Sequence, residues 1–174
     1  MNVAVRQFIN SDIYVENDYE GNLPQSALNQ VNLVDWVGWF QHWLSFLNPM
    51  VDLPQDCELS LRLTGDRQIQ QYNCQYRHLD EPTDVLAFAS TETDLVLPAE
   101  FTEPLYLGDI IISLDMAMRQ SKEQKHSLTV ELAWLSSHGL LHLLGWDHPD
   151  DKSLQQMLAQ QKELLYSLNA VKSD

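Results

Sequence analysis

The chain of 174 residues predicts an α/β fold of the α+β type, with a small mixed sheet of about four strands packed with about five helices. Short β-branched or alternating runs intermix with stretches whose apolar residues recur at three- and four-residue steps. Connections between these runs are short, and the sequence shows no internal repeat or low-complexity linker. A single domain over residues 1–174 is therefore predicted, and a hydrophobic content of 44% is enough for its core.

The first part of the chain predicts one strand followed by one long helix. Residues 3–9 and 11–15 are β-branched runs that favour a strand, either continuous or interrupted by a turn. Over residues 26–47 the apolar residues keep a helical spacing, and Asn48-Pro49 is expected to end this helix. Because its aromatic residues share that spacing, we interpret them as core rather than as a surface that stacks on bases.

The middle of the chain predicts three strands and one helix. Thr64 or Asp66 is expected to cap a helix over about residues 66–76. An acidic, proline-containing stretch before the last of these strands is expected to form a surface loop or a hairpin. The strands themselves are expected at residues 57–64, 84–90 and 105–113.

Three helices are predicted in the last third of the chain from their capping residues. Ser113 is expected to cap a helix that runs to about residue 126, and Ser127 begins the next one. That helix should end near Gly145, since glycine commonly follows the last residue of a helix. Asp150 or Asp151 then begins a last helix that runs to about residue 168.

The segment HGLLHLLGWDH carries the clearest chemical signal in the chain. His138 and His142 are four residues apart on a helix, so their imidazoles project from one face. Gly145 breaks the helix, which lets His148 return to the same ion from the following loop. Three imidazoles leave a fourth position for water, a pattern typical of catalytic rather than structural zinc. The spacing therefore predicts one Zn²⁺ ion per chain, held by His138, His142 and His148.

The same spacing raises a protease as an alternative. The metzincin motif HExxHxxGxxH has its histidines and glycine at the positions that this chain fills. The chain departs at the second position, where the protease has a glutamate that acts as general base and this chain has Gly139. Peptide hydrolysis by that mechanism should fail without the carboxylate, so a metalloprotease is a distant alternative.

Three blocks of the sequence resemble the YbeY family of rRNA maturation factors. HGLLHLLGWDH resembles the family's HGxLHLxGYDH, and residues 73–88 (NCQYRHLDEPTDVLAF) resemble its NxxYRxxDxPTDVLSF. Residues 107–113 (LGDIIIS) resemble its LGDIxIS. The blocks occur in the family's order and cover about residues 57–165, which leaves residues 1–56 without a motif.

The chain departs from the family's pattern at three positions. Trp146 stands where tyrosine is usual, and Ala87 replaces the usual serine, a change that we expect to be secondary. Gln161 stands where glutamate is common in the last helix, and we interpret it as a surface residue or one that lies behind the metal ligands.

The resemblance implies a zincin-like zinc site and a single-strand-specific endoribonuclease. Its implied role is rRNA processing, including maturation of the 16S 3′ end, and ribosome quality control in the cytoplasm. The implied partners are single-stranded RNA or rRNA, and the ribosomal small subunit or its assembly proteins, with no membrane and no DNA. A non-catalytic, zinc-containing ribosome-assembly factor is the alternative.

Candidate site residues come partly from the same resemblance and partly from the residues themselves. Arg77 falls on the family's functional arginine, and its guanidinium fork suits two phosphate oxygens; a surface salt bridge with Asp80 or Glu81 is the alternative. Together with His138, Arg77 is the predicted catalytic set. Contacts with the substrate are predicted for His78, which follows Arg77, and for Arg119, Lys122 and Lys125, a basic stripe at three-residue steps whose alternative is a solvated helix face. Asp84 and Asp109 are predicted to orient a ligand imidazole or instead to cap turns and strand ends, and Asp147 to shape its loop or hydrogen-bond a histidine rather than to act as a base.

Charge and cysteine content limit the other function classes. A net charge of −15 is unusual for an enzyme of nucleic acids and favours weak or short-lived contact with RNA. Residues 1–56 hold seven acids and one base, so a basic patch is expected only beyond them. Two isolated cysteines, no long apolar run and no signal-peptide pattern favour a reducing, cytoplasmic setting.

Overall fold

The computed structural model describes residues 9–51, 53–92 and 104–168. These residues form four strands, six α-helices and one short 3₁₀ turn (Ser90–Glu92). The strands are β1 (Asn10–Asn17), β2 (Asp56–Thr64), β3 (Val85–Ala89) and β4 (Leu105–Ser113). The helices are α1 (Gln25–Asn32), α2 (Trp36–Val51), α3 (Asp66–Arg77), α4 (Leu114–Gln124), α5 (Leu128–Leu143) and α6 (Asp151–Ser167).

The four strands form one mixed sheet in the order β1-β2-β4-β3. β1, β2 and β4 are parallel, whereas β3 pairs with β4 in the antiparallel direction and forms an edge of the sheet. The predicted fold class, a small mixed sheet packed with helices, is confirmed, with six helices in the described ranges where about five were expected.

The two faces of the sheet are covered unequally. On one face, Ile69 of α3 packs with Leu86 and Ile111 in a small cluster. On the other face, Ile110 and Ile112 belong to the main core. α5 is central to that core, because it contacts β3, β4 and the helices α1, α4 and α6 and is buried on nearly all sides. A helix held this firmly is a rigid support for the residues at its end.

Local caps explain where the last three helices begin. The Ser113 and Ser127 side chains accept hydrogen bonds from the backbone N–H groups of Met116 and Val130, so both predicted caps are confirmed. Asp150, one of the two predicted starts of the last helix, forms a capping box with Ser153. These three signals are local, so the sequence alone was enough to predict them.

The predicted cap of α3 is wrong. Gly65 occupies the cap position, and the side chain that accepts from the first helical N–H is Asp115 of α4, with Asp66 N 3.0 Å from Asp115 Oδ2. The Asp66 carboxylate instead accepts from Ser113 Oγ and Arg119, and the Thr64 hydroxyl bonds Gln68. The cap comes from a residue that is remote in the sequence.

The long helix predicted over residues 26–47 is two helices. The chain breaks between α1 and α2, where Asp35 Oδ1 accepts from Gly38 N at 3.0 Å and caps α2. Pro49 does not end α2, which continues to Val51 with the proline in its last turn.

The start of the first predicted strand and most of the predicted loop before β4 lie outside the described residues, and β1 begins at Asn10.

Gly139 lies where α5 comes closest to β4. A Cβ atom at this position would lie 2.8 Å from Ile110 Cγ2, so the position has no room for a side chain without a shift of the helix or the strand. The position that carries glutamate in metzincins therefore faces the sheet in this chain.

We expect Gly139→Glu to lower the free energy of unfolding by about 3 kcal/mol or more, because it overpacks the interface and buries a carboxylate. Urea unfolding followed by circular dichroism measures this change. Gly139→Ala should show a smaller loss that is partly relieved in the double variant with Ile110→Ala. Wild-type stability of Gly139→Glu would contradict this account of the packing.

Candidate metal centre

The three histidines come from the end of α5 and the turn that follows it. His138 and His142 lie one turn apart on the helix, which ends at Leu143. Gly145 has φ +86°, and its N–H donates to His142 O while Trp146 N–H donates to Leu141 O, both at 3.0 Å. This is the Schellman pattern, which reverses the chain and returns His148 to the helix face.

The ring nitrogens of the three histidines form one cluster. One nitrogen from each ring lies within 4.8 Å of the others, and His138 Nε2 is 3.0 Å from His142 Nε2. Zinc binds imidazole nitrogens at roughly 2.0–2.1 Å, so tetrahedral ligands of one ion are about 3.3 Å apart. The donor type and spacing therefore fit a zinc ion, and the predicted grouping of these three histidines is what the structure shows.

Burial prepares two of the imidazoles for metal binding. It lowers the pKa of His138, and it lowers the pKa of His142 to about 4, with His138 and His148 adding to the second shift. Both rings are therefore neutral at pH 7, and neutral imidazole is the form that binds metal ions.

Gln161 lies behind His138 in a buried position. Its Oε1 is 3.2 Å from His138 Nδ1, and its Nε2 donates to the backbone carbonyl of Trp134. Because the amide oxygen only accepts, Nδ1 of His138 carries the proton and Nε2 presents its lone pair. Gln161 is fully buried, so its interpretation as a surface residue is wrong, and the alternative, a place behind His138, is what the structure shows. The sequence signal that could have predicted its burial is that this glutamine stands on the apolar side of α6.

We expect Gln161→Leu to weaken zinc binding by about 10–100-fold, because His138 loses the acceptor that fixes its tautomer and orientation. Competition with a chromophoric chelator measures the affinity directly. Gln156→Leu, an exposed change on the same helix, is the matched control. Unchanged affinity in Gln161→Leu would show that this hydrogen bond does not orient the ligand.

An open cavity of about 600 Å³ surrounds the three histidines beside the edge strand β3. Arg77, the last residue of α3, is exposed and lines this cavity, although α3 packs on the opposite face of the sheet. No ion pair joins Arg77 to Asp80 or Glu81 in the part of the chain that the structure describes. The Arg77 guanidinium, which forms no ion pair with any described residue, therefore lies in the same cavity as the histidines.

The family model for Endoribonuclease YbeY matches residues 24–169, which include every element from α1 to α6. The chain belongs to the YbeY family. It is 52% identical over 164 residues to the Endoribonuclease YbeY of Nostoc sp. (strain PCC 7120), covering 90% of this chain and 89% of the relative. It is 49% identical to that of Acaryochloris marina over 169 residues, with coverage of 91% and 95%.

A solved structure from Thermotoga maritima shares this fold. The match has a TM-score of 0.52 at 21% sequence identity and covers 90% of this chain and 88% of the other.

In the described residues, no helix combines the length and the apolar character that crossing a membrane requires.

Two of the three predicted carboxylates line the histidine cavity. Asp84 Oδ1 accepts from Val85 N at 2.8 Å, and Oδ2 accepts from the Gln120 amide at 2.9 Å. Asp147 Oδ1 accepts from the backbone N–H of His148 at 2.8 Å, which shapes the loop that carries this ligand. Ala87, at the position of the family's usual serine, also faces the cavity.

Asp109 is not brought to the histidines. It lies on β4 next to Ile110, and adjacent residues of a strand point to opposite faces. Because Ile110 faces α5, Asp109 lines a separate cavity on the other face and accepts a hydrogen bond from the Tyr106 hydroxyl at 2.8 Å.

The predicted substrate contacts lie outside the histidine cavity. His78 follows α3 in a left-handed conformation with φ 61° and is exposed. Arg119 forms an ion pair with Asp66 at 2.7 Å, whereas Lys122 and Lys125 lie at the end of α4. Their contact with RNA stays a prediction.

Proposed function

We propose that this chain is a single-strand-specific endoribonuclease that hydrolyses RNA phosphodiesters at the histidine cavity with one zinc ion as its cofactor. The name carried by its relatives, Endoribonuclease YbeY, supports an RNA-cleaving hydrolase. The observation that carries the proposal is one cavity that holds three clustered imidazoles and Arg77, which has no ion-pair partner among the described residues. The same proposal includes processing of rRNA at the 16S 3′ end and ribosome quality control. It also includes interaction with the small subunit or its assembly proteins in the cytoplasm.

The residues of the cavity have two kinds of role, which are to bind the phosphate group and to stabilise its negative charge. Arg77 has the fork geometry to hold two phosphate oxygens and to stabilise the negative charge that grows on them during cleavage. His138, held in one tautomer by Gln161, presents Nε2 toward the other two rings. Zinc bound there would supply Lewis-acid chemistry at the phosphate.

The acidic charge of the chain favours brief contact with RNA. With a net charge of −15, the protein repels a polyanion at long range, so binding depends on local cations such as Arg77. The same charge is the observation that favours the alternative, a ribosome-assembly factor that acts through protein contacts. The protease alternative loses further support, since Gly139 faces Ile110 and leaves no room for a catalytic carboxylate.

The test is cleavage of labelled single-stranded RNA by the full chain, with metal content determined by mass spectrometry on the same preparation. We expect about one zinc per chain and internal cuts in single-stranded RNA, with a matched duplex left intact. A zinc-loaded preparation that leaves RNA intact would overturn the nuclease and favour the assembly factor.

A further inference from the structure

A second cavity, of about 560 Å³, lies next to the histidine cavity and shares Asp84 with it. α4, the first half of α5 and the end of α6 supply its walls. The two cavities follow the same helix, because Trp134 lines the second cavity and His138 lines the first. Four residues of helix separate these two side chains by roughly 6 Å along the axis, a distance that one nucleotide spans.

The polar part of the second cavity is rich in hydrogen-bond acceptors. Glu131 is only 4% exposed and forms a hydrogen bond with His126, and burial raises its pKa. The Gln120 amide nitrogen is already committed to Asp84. The buried Gln120 Oε1 has no hydrogen-bond partner among the described residues. A buried acceptor without a donor is destabilising, so a ligand that brings a donor to it would be stabilised here.

The remaining lining suits a flat ring rather than a phosphate group. Trp134, Val130 and Leu135 provide apolar walls, and an indole is a good surface for stacking on a base. Asp84, Glu123 and Glu131 are acidic, and among the described residues that line the cavity the one basic type is His126, which is hydrogen-bonded to Glu131, so a phosphate would be repelled. In RNA, the groups that combine a flat apolar ring with hydrogen-bond donors are the bases.

We propose that this cavity binds one nucleobase of the RNA substrate and prefers bases with an exocyclic amino group over uracil. Cytosine, adenine and guanine each have an exocyclic amino group whose two N–H bonds can donate to Glu131 and Gln120, whereas uracil has a carbonyl oxygen in place of the amino group of cytosine and keeps only its ring N3–H as a donor. The inference rests on the proposed endoribonuclease function and adds a base preference to it.

The experiment compares oligo(C) and oligo(U) of the same length, because the two bases are equal in size and differ at the amino group. Fluorescence anisotropy measures binding to the full zinc-loaded chain, and gel analysis measures cleavage. We expect oligo(C) to bind and react about 10-fold better than oligo(U). Equal binding and equal cleavage of the two would overturn the base site and leave the nuclease intact. Absence of cleavage of both would contradict the proposed function, and anisotropy alone would then decide the preference.

Two variants assign the preference to this cavity. Glu131→Gln removes the carboxylate at nearly constant volume, and Val130→Phe fills the space; each should reduce the preference to within about two-fold. Glu163→Gln, an exposed change on α6, is the control and should keep it. Thermal unfolding checks that each variant is folded, and Val130→Phe decides the question if Glu131→Gln is not. A folded Val130→Phe protein that still prefers oligo(C) 10-fold would overturn the proposal.

Discussion

His142→Ala should reduce zinc from about one ion per chain to nearly none and lower RNA cleavage by on the order of 10³-fold. His142 Nε2 is 3.0 Å from His138 Nε2, and the rings of all three histidines contact one another, so removing one takes a third of the donor set. Two imidazoles alone hold zinc weakly at neutral pH. Metal analysis and cleavage assays on one preparation measure both effects.

His42→Ala is the matched control for this experiment. His42 lies in α2, where its ring nitrogen is 2.9 Å from the Ser167 hydroxyl, and it does not belong to the histidine cluster. Its variant should keep both zinc and activity. If His142→Ala retained a full zinc ion, the metal would have to be bound elsewhere, and the assignment of the site would be wrong.

Arg77→Ala should keep its zinc and lose about 10²–10³-fold in cleavage rate, which separates phosphate binding from metal binding. The side chain lines the histidine cavity but is not one of the clustered metal ligands. Arg77→Lys keeps the charge without the fork, so we expect it to recover only part of the rate.

Arg67→Ala controls for the loss of one positive charge on the same helix. Arg67 is exposed near the start of α3 and does not line the histidine cavity. Its removal should change the rate by less than about two-fold. Equal losses in Arg67→Ala and Arg77→Ala would mean that total charge, rather than a positioned guanidinium, sets the rate.

The sequence was sufficient where the physical cause is local. Ser113, Ser127 and Asp150 each cap a helix by accepting from a backbone N–H three positions later, and the spacing of the histidines around Gly145 is contained in eleven residues. Each of these features depends only on helix geometry and on a glycine that accepts positive φ.

Features that depend on remote packing could not be read from the sequence. Asp115 caps α3 although it lies 49 positions after Asp66 in the sequence. Gln161 forms a hydrogen bond with His138, which lies 23 positions before it. The face of the sheet on which Asp109 lies could not be predicted, because the isoleucines that follow it are buried on both faces. The usual alternation of apolar and polar residues along a strand is therefore missing. In each case the missing information was which surfaces of the helices and the sheet would meet.

The three histidines lie close together in the sequence, since all of them belong to the end of α5 and the Schellman turn at Gly145 that follows it. Arg77 is about sixty residues earlier in the chain and lies in the same cavity in the folded structure, where β3 pairs with β4. The contacts that gather the imidazoles have low sequence separation, whereas those that place the guanidinium have high separation, and contacts of high separation tend to form more slowly. We therefore expect the histidine cluster to form before Arg77 reaches the cavity, so that a partly folded chain could bind a metal ion without the guanidinium in place.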